Sequence, residues 1–261
     1  AEKSGSISVM DIYTGEIIAM HSSPSFDPNL FLYGISTKDW KEIREDPLKP
    51  LINKTVSGLY SPGSTIKPLV ALSALENDVI TPNQKVQCTG KMEMYGQTYH
   101  CWKKKGHGTM GLRNAIKQSC DVYFYKSTHY FDLDILSDSF RKFGFGQPSQ
   151  IDIFGESSGL VPTTSFMNKR YGRYGWSKGA LLNISIGQGE LLVTPIQVFN
   201  YVNLLATRGI AQTPHFVRVD QLPENIHPNL ESNIWDRIVS DMRAVIVDEQ
   251  GTGKSAQPNV P

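Results

Sequence analysis

Tyr60-Ser61-Pro62-Gly63-Ser64-Thr65-Ile66-Lys67-Pro68 is the stretch on which the reading of this chain turns. Ser64 and Lys67 stand three residues apart, so on a helix their hydroxyl and amine share one face, one turn from each other. A lysine so placed can take the serine's proton, provided its surroundings hold it neutral. Ser61 or Gly63 is expected to cap the helix, and Pro62 suits an early helical position that needs no N–H. Ser64 then falls in the first turn, where backbone N–H groups lack intrahelical partners. Such a donor, at the positive end of the helix dipole, can serve as half an oxyanion hole. Pro68 cannot donate to the carbonyl of Ser64. Ser-x-x-Lys alone also recurs by chance, as a helix start with a surface serine and lysine. Its flanks separate the two readings.

Outward from that run, residues 64–77 carry the apolar spacing Ile66, Leu69, Val70, Leu72, Leu75 of a buried helix. At the start of the chain Ile7, Val9 and then Ile17, Ala19 alternate about a Thr14-Gly15 turn, which predicts a hairpin. Residues 39–46 predict a short charged helix, and 88–108 a loop with short strands. Helices are predicted over 112–119, 122–130, 134–143 and 194–208, the last with Thr194 as cap and Pro195 at its first position. Residues 234–247 read as a helix, although Ala244-Val245-Ile246-Val247 also suits a strand. No internal repeat or low-complexity linker interrupts the chain.

Composition bounds the reading without deciding it. With 261 residues and 39% hydrophobic content the chain can bury one good core. Its formal net charge of +1 gives no reason to invoke nucleic acid. No stretch approaches the roughly 20 apolar residues that span a membrane, and Ala1-Glu2-Lys3-Ser4-Gly5 is not a signal peptide.

The run around Ser64 resembles the active-site motif of penicillin-binding proteins, the D,D-transpeptidases of bacterial cell-wall synthesis, whose three motifs are Ser-x-x-Lys, Ser-x-Asn and Lys-Thr/Ser-Gly. Three further blocks carry the likeness in the same order: residues 9–20, Ser23-Pro24-Ser25-Phe26-Asp27-Pro28-Asn29, and Ile186-Gly187-Gln188-Gly189 with Thr194-Pro195-Ile196-Gln197. The resemblance, to elongation-specific class B enzymes, runs from near the first residue to about Gly253. It implies an α+β fold, an antiparallel sheet flanked by helices with an all-helical lobe. Such enzymes carry an N-terminal membrane anchor and a non-catalytic region ahead of the transpeptidase. The chain is therefore expected to be the transpeptidase domain, residues 1–261, of a protein anchored at the periplasmic face of the cytoplasmic membrane.

Ser119-Cys120-Asp121 occupies the place of Ser-x-Asn and carries Asp in place of Asn, as elongation-type members often do. A hydroxyl here can relay a proton between Lys67 and a departing amine. Asp121 can hold Lys67 by charge, but a nearby carboxylate favours the charged lysine, against the needs of a base. The plainer reading makes Ser119 a cap of the next helix. No Lys-Thr-Gly or Lys-Ser-Gly occurs in the 261 residues. The resemblance puts that motif on a strand just beyond Pro261, so the C-terminal strands and helix are expected to be missing. Gln250-Gly251-Thr252-Gly253-Lys254-Ser255 imitates the end of a phosphate-binding loop, but the pattern's first glycine falls on Asp248.

Cys88, Cys101 and Cys120, with His107, offer a Cys₃His inventory of the kind structural zinc sites use. The spacings are long and not finger-like. If Ser119 and Asp121 face an active site, Cys120 projects the other way, where a metal would pin the preceding loop. His100 is a substitute ligand, and His107, in Trp102-Lys103-Lys104-Lys105-Gly106-His107-Gly108, is preferred. Lys103 to Lys105 read as a solvated loop face. Some elongation-type relatives have a Cys at this place with His and acidic residues ahead of it, which implies a related metal position. One disulfide with a free third cysteine, or three inert thiols, are the competing readings.

The resemblance implies acyl transfer from peptidoglycan stem peptides through Ser64, acylation by β-lactams, and partners in the elongation machinery that dock on the N-terminal region. A D,D-carboxypeptidase and a β-lactam-sensing receptor domain share these motifs. A class A β-lactamase needs a Glu three residues before Leu182-Asn183, where this chain has Gly179.

Overall fold

The structure is a computed structural model that describes residues 3–217, 221 and 225–258. In chain order its strands are β1 (Gly5–Met10), β2 (Ile17–Ser23), β3 (Lys85–Cys88), β4 (Lys91–Met94), β5 (Gln97–His100) and β6 (Gly108–Gly111). The α-helices are α1 (Thr37–Glu45), α2 (Lys67–Glu76), α3 (Leu112–Lys117), α4 (Asp121–Thr128), α5 (Leu133–Lys142), α6 (Thr164–Tyr171), α7 (Gly179–Ile184), α8 (Pro195–Ala206) and α9 (Ser232–Val247). None is long and apolar enough to cross a membrane among the described residues. They fall into two compact units, Ala1–Tyr60 with Gly144–Gly159 and Leu192–His227, and Ser61–Phe143 with Leu160–Leu191 and Pro228–Pro261.

In the first unit β1 and β2 form the expected antiparallel hairpin, with Ile7 opposite His21 and Val9 opposite Ala19. Asp11 makes the turn, its Oδ1 accepting from the N–H groups of Tyr13 and Thr14 at 2.8 and 2.9 Å. A slip in register between Val9 and Met10 puts Met10 and Ile17 together in a core with Val56, Ile151 and Ile196. Thr194 caps α8 in a full capping box with Gln197. The buried Gln197 also donates from Nε2 to the carbonyls of Gln147 and Ser158 at 2.7 and 2.8 Å, so one side chain fixes a helix start and two loops.

The second unit is built around α2, which is buried on every side from Lys67 to Ala74. A helix apolar all round belongs in a core, and α3, α4, α5 and α9 pack against this one. Beside this helical cluster lie two ribbons, β3 with β6 and β4 with β5, both antiparallel. Antiparallel pairing thus appears as three two-stranded sheets among the described residues, and the helical lobe as this unit's core. Residues 244–247 are helical, the last turn of α9.

Candidate active site

Ser64 does not sit in the first turn of an α-helix. Gly63–Ile66 is a 3-10 turn that runs into α2, and neither Ser61 nor Gly63 caps it. The cause is Pro68. An α-helical pattern would leave the Ser64 carbonyl without its donor at residue 68, whereas the tighter turn lets the Lys67 N–H reach it. The turn is backed by Gly187, whose carbonyl accepts from the Gly63 N–H at 2.9 Å. Gly187 has φ +74°, and a Cβ there would lie 2.2 Å from the Gly63 carbonyl oxygen. Only glycine allows this approach.

Lys67, one turn after Ser64, is 2% exposed. Its ammonium donates to Asp121 Oδ1 at 2.6 Å, to Ser119 Oγ at 2.9 Å and to the Ser119 carbonyl at 3.0 Å. All three donors of the lysine are thereby placed. The Phe124 ring lies 5.5 Å away. Burial pushes the Lys67 pKa below its ordinary value, and the nearby Asp121 carboxylate offsets only part of that. Desolvation and the carboxylate thus act on the lysine in opposite senses, with desolvation the larger. Ser119 Oγ accepts from Lys67, which leaves the serine's own proton free to donate.

Ser119 is held in the left-handed region, φ +51°. For a non-glycine residue this costs on the order of 1–3 kcal/mol and persists only where neighbours fix it. The reading of Ser119 as a helix cap does not hold. Cys120 occupies the cap position of α4, without a side-chain cap bond. The left-handed turn points Ser119 and Asp121 toward one cleft and buries Cys120 completely behind them. Asp121 Oδ2 accepts from the backbone N–H of Trp102 at 3.0 Å, and the Trp102 indole N–H lies 3.1 Å from the Ser119 carbonyl.

Ser64, Ser119 and Asp121 line a single cavity of about 690 Å³, together with His100, Trp102, Tyr125, Ile186, Gln188 and Thr252. Three of the four motif residues thus share the cleft, and Lys67 lies beneath it. Several walls were missed in the sequence. Trp102 falls in the stretch expected to be a loop with short strands, and His100 is there expected as a substitute metal ligand. Thr252 belongs to the segment dismissed as a false phosphate loop, where its N–H donates to the Lys117 carbonyl at 3.2 Å.

Behind Ser119 and Asp121, the side chains of Cys88, Cys101, His107 and Cys120 converge, one donor atom from each, all within 4.8 Å of one another. His107 Nδ1 is 3.4 Å from Cys101 Sγ and 3.6 Å from Cys88 Sγ. The three cysteines are free and buried, so the chain shows no disulfide among the described residues. The neighbouring Cys120 thiol pulls Cys101 below its ordinary pKa, while Cys120 is pushed up by the same pairing and by burial. His100 is not part of the cluster; it lines the cleft instead.

A buried lysine one turn from a cleft serine is an arrangement that can serve acyl transfer through that serine. Residues 5–261 match the penicillin-binding protein transpeptidase domain, and the chain belongs to that family. It is 35% identical to a peptidoglycan D,D-transpeptidase MrdA of Haemophilus influenzae over 97% of its own length and 40% of the relative's. The chain therefore spans well under half of that protein. Among solved structures it superposes on penicillin-binding protein 2 (PBP2) of Pseudomonas aeruginosa in complex with WCK 5153 with a TM-score of 0.91. The identity is 36%, covering 98% of this chain and 60% of that one. A complex of PBP2 with MreC from Helicobacter pylori gives a TM-score of 0.90 at 36% identity, covering 98% of this chain and 48% of the other.

Proposed function

We propose that this chain is the transpeptidase domain of an elongation-type peptidoglycan D,D-transpeptidase, which cross-links stem peptides through an acyl-enzyme on Ser64. The observation that carries the reading is Lys67. It is buried, joined to Ser119 and Asp121, and one turn from a serine that opens on the cleft. Ser64 Oγ attacks the carbonyl between the two terminal D-alanines, and its proton passes to Lys67. Ser119 delivers a proton to the amine of the leaving D-alanine as the peptide bond breaks. The Ser64 N–H, early in its turn, faces the developing oxyanion. An amine of a neighbouring stem peptide then attacks the ester, forms the cross-link and releases Ser64. A β-lactam enters the same first step, but its opened ring stays tethered to the acyl group.

Intact mass under denaturing conditions, after incubation with benzylpenicillin, tests this directly. The expected result is a covalent adduct on the full-length protein that disappears in Ser64→Ala. An adduct that survives the substitution, or none on the folded protein, overturns the assignment. Supplying a donor peptide with and without an acceptor amine separates transpeptidation from D,D-carboxypeptidation.

A structural zinc held by Cys88, Cys101, His107 and Cys120 is part of the same reading. Zinc bound tetrahedrally at about 2.3 Å to sulfur and about 2.0–2.1 Å to nitrogen separates S from N by about 3.5–3.6 Å. The observed separations of 3.4 and 3.6 Å agree with that. A divalent ion also resolves the competition between the thiolates. Elemental analysis should give one zinc per chain. A metal-free protein with three titratable thiols and unchanged thermal stability would refute the site. The H. pylori PBP2 structure contains MreC, which supports a partner of that kind for the protein to which this chain belongs. By the same analogy that protein works at the periplasmic face of the cytoplasmic membrane, held by an N-terminal anchor and paired with a glycan polymerase.

A further inference from the structure

Trp102 touches the catalytic residues at two points that the acyl-transfer scheme leaves unused. Its backbone N–H donates to Asp121 Oδ2 at 3.0 Å, the oxygen that Lys67 leaves open by taking Oδ1. Its indole N–H is shared between the carbonyls of Gln118 and Ser119, at 3.0 and 3.1 Å. Ser119 is the residue in the left-handed region, and its carbonyl also accepts from Lys67. The left-handed turn is itself closed by Schellman bonds at the end of α3, Ser119 N–H to the Ile116 carbonyl at 3.1 Å and Cys120 N–H to the Ala115 carbonyl at 2.9 Å, so what the indole adds is a hold on the Ser119 carbonyl. Turning it back toward negative φ would move its carbonyl and Oγ together, and Oγ is the atom 2.9 Å from Lys67 Nζ.

We propose that Trp102 is a positioning residue of the cleft, its indole N–H clamping the left-handed Ser119 so that Ser119 Oγ, Asp121 and Lys67 stay in register. Its effect passes through Ser119 and not through contact with the reacting atoms. Its place in the chain suits that task, because Cys101 directly before it belongs to the thiol cluster behind the cleft and so fixes where the tryptophan begins. The ring edge also meets His107 of the same cluster, with ring centroids 5.3 Å apart. The clamp rests on the acyl-transfer reading of the cleft.

The rival role is direct. Trp102 lines the cavity and is 58% exposed, so its ring could bind ligand as a wall. Trp102→Phe separates the two roles, since it retains an aromatic ring and the backbone N–H but removes the indole donor. The readout is the rate of Ser64 acylation as a function of benzylpenicillin concentration, resolved into a maximal rate and an apparent KI. A clamp predicts a maximal rate lower by about five- to tenfold, the effect of one neutral hydrogen bond felt in the transition state, with KI unchanged. Wild-type maximal rate in Trp102→Phe overturns the proposal, and so does a raised KI with the rate preserved. If Trp102→Phe fails to fold, benzothienylalanine at position 102 replaces only the N–H by sulfur and is held to the same two criteria. Absence of acylation in the wild-type protein would instead refute the acyl-transfer reading beneath it.

Discussion

The two sides of Ser119-Cys120-Asp121 are organised on opposite terms. On the cleft side a buried cation, Lys67, has each of its three donors matched by an oxygen of the chain. On the far side four metal-ligating atoms lie within 4.8 Å of one another, and the thiols compete for a single negative charge. One side is balanced by residues; the other gathers the donors that the proposed zinc would take. The cleft side should therefore answer sharply to single substitutions, and the thiol side to metal supply.

Lys67→Ala tests the self-sufficient side hardest. Removing a positioned general base is expected to lower the acylation rate on the order of 10²–10⁴-fold, read by stopped-flow or quenched mass spectrometry with benzylpenicillin. A loss below about tenfold would break the comparison by showing that the cleft works without its cation. Gly187→Ala asks whether that side depends on backbone fit as well as charge. The added Cβ would meet the Gly63 carbonyl at 2.2 Å, so the Ser64 turn must shift. A displacement near 1 Å costs about 10²-fold, with no charged group or thiol replaced.

Cys120→Ser tests the other side. Zinc content should fall well below one per chain, and Tm should drop by about 2–8 °C, as a loss of about 1–2 kcal/mol gives in a domain of this size. Equal Tm values with and without a chelator in the wild type would make the thiol cluster as self-sufficient as the cleft. Asp121→Asn gives the finest test. Asp121 raises the Lys67 pKa while burial lowers it. Acylation by neutral Lys67 should climb with pH through that lowered pKa. Removing the carboxylate favours the neutral amine further, so the rising limb should move to lower pH. A shift to higher pH would mean that Asp121 does not act on Lys67 as a charge.

Much of this was legible in residue order because it is local. Ser64 and Lys67 are one turn apart, and Thr194 with Pro195 marks the start of α8 through chemistry confined to four residues. The direction of Cys120 followed once Ser119 and Asp121 were assigned to the same face, and the inventory of cysteines and His107 pointed to the group that gathers around it. What escaped depends on contacts distant in sequence or on torsions. Trp102, Tyr125 and Thr252 become walls of one cavity only when the loop after β5, α4 and the segment after α9 are brought together. The left-handed Ser119 has no signal, because serine is not a residue that advertises positive φ. Helix α6 buries only Met167, and α7 begins on Gly179 without a side-chain cap, so the first lacks an apolar stripe and the second a start signal. The 3-10 turn at Ser64 was within reach. Pro68 was seen to deprive the Ser64 carbonyl of its α-helical donor, and the tighter turn is the answer to that deficit.

The burial of Cys120 between two cleft residues has a consequence for how such a target can escape an antibiotic. If the proposed acylation by β-lactams holds, a change at a cleft wall such as Gln188 leaves the cluster behind Ser119 and Asp121 in place. Positions 119 to 121 offer no such freedom. Any change of backbone there that spoils the fit of the drug also swings Cys120 away from Cys88, Cys101 and His107. Resistance by that route would be bought with the integrity of the fold, so this short segment is where an inhibitor's contacts would be hardest to evade.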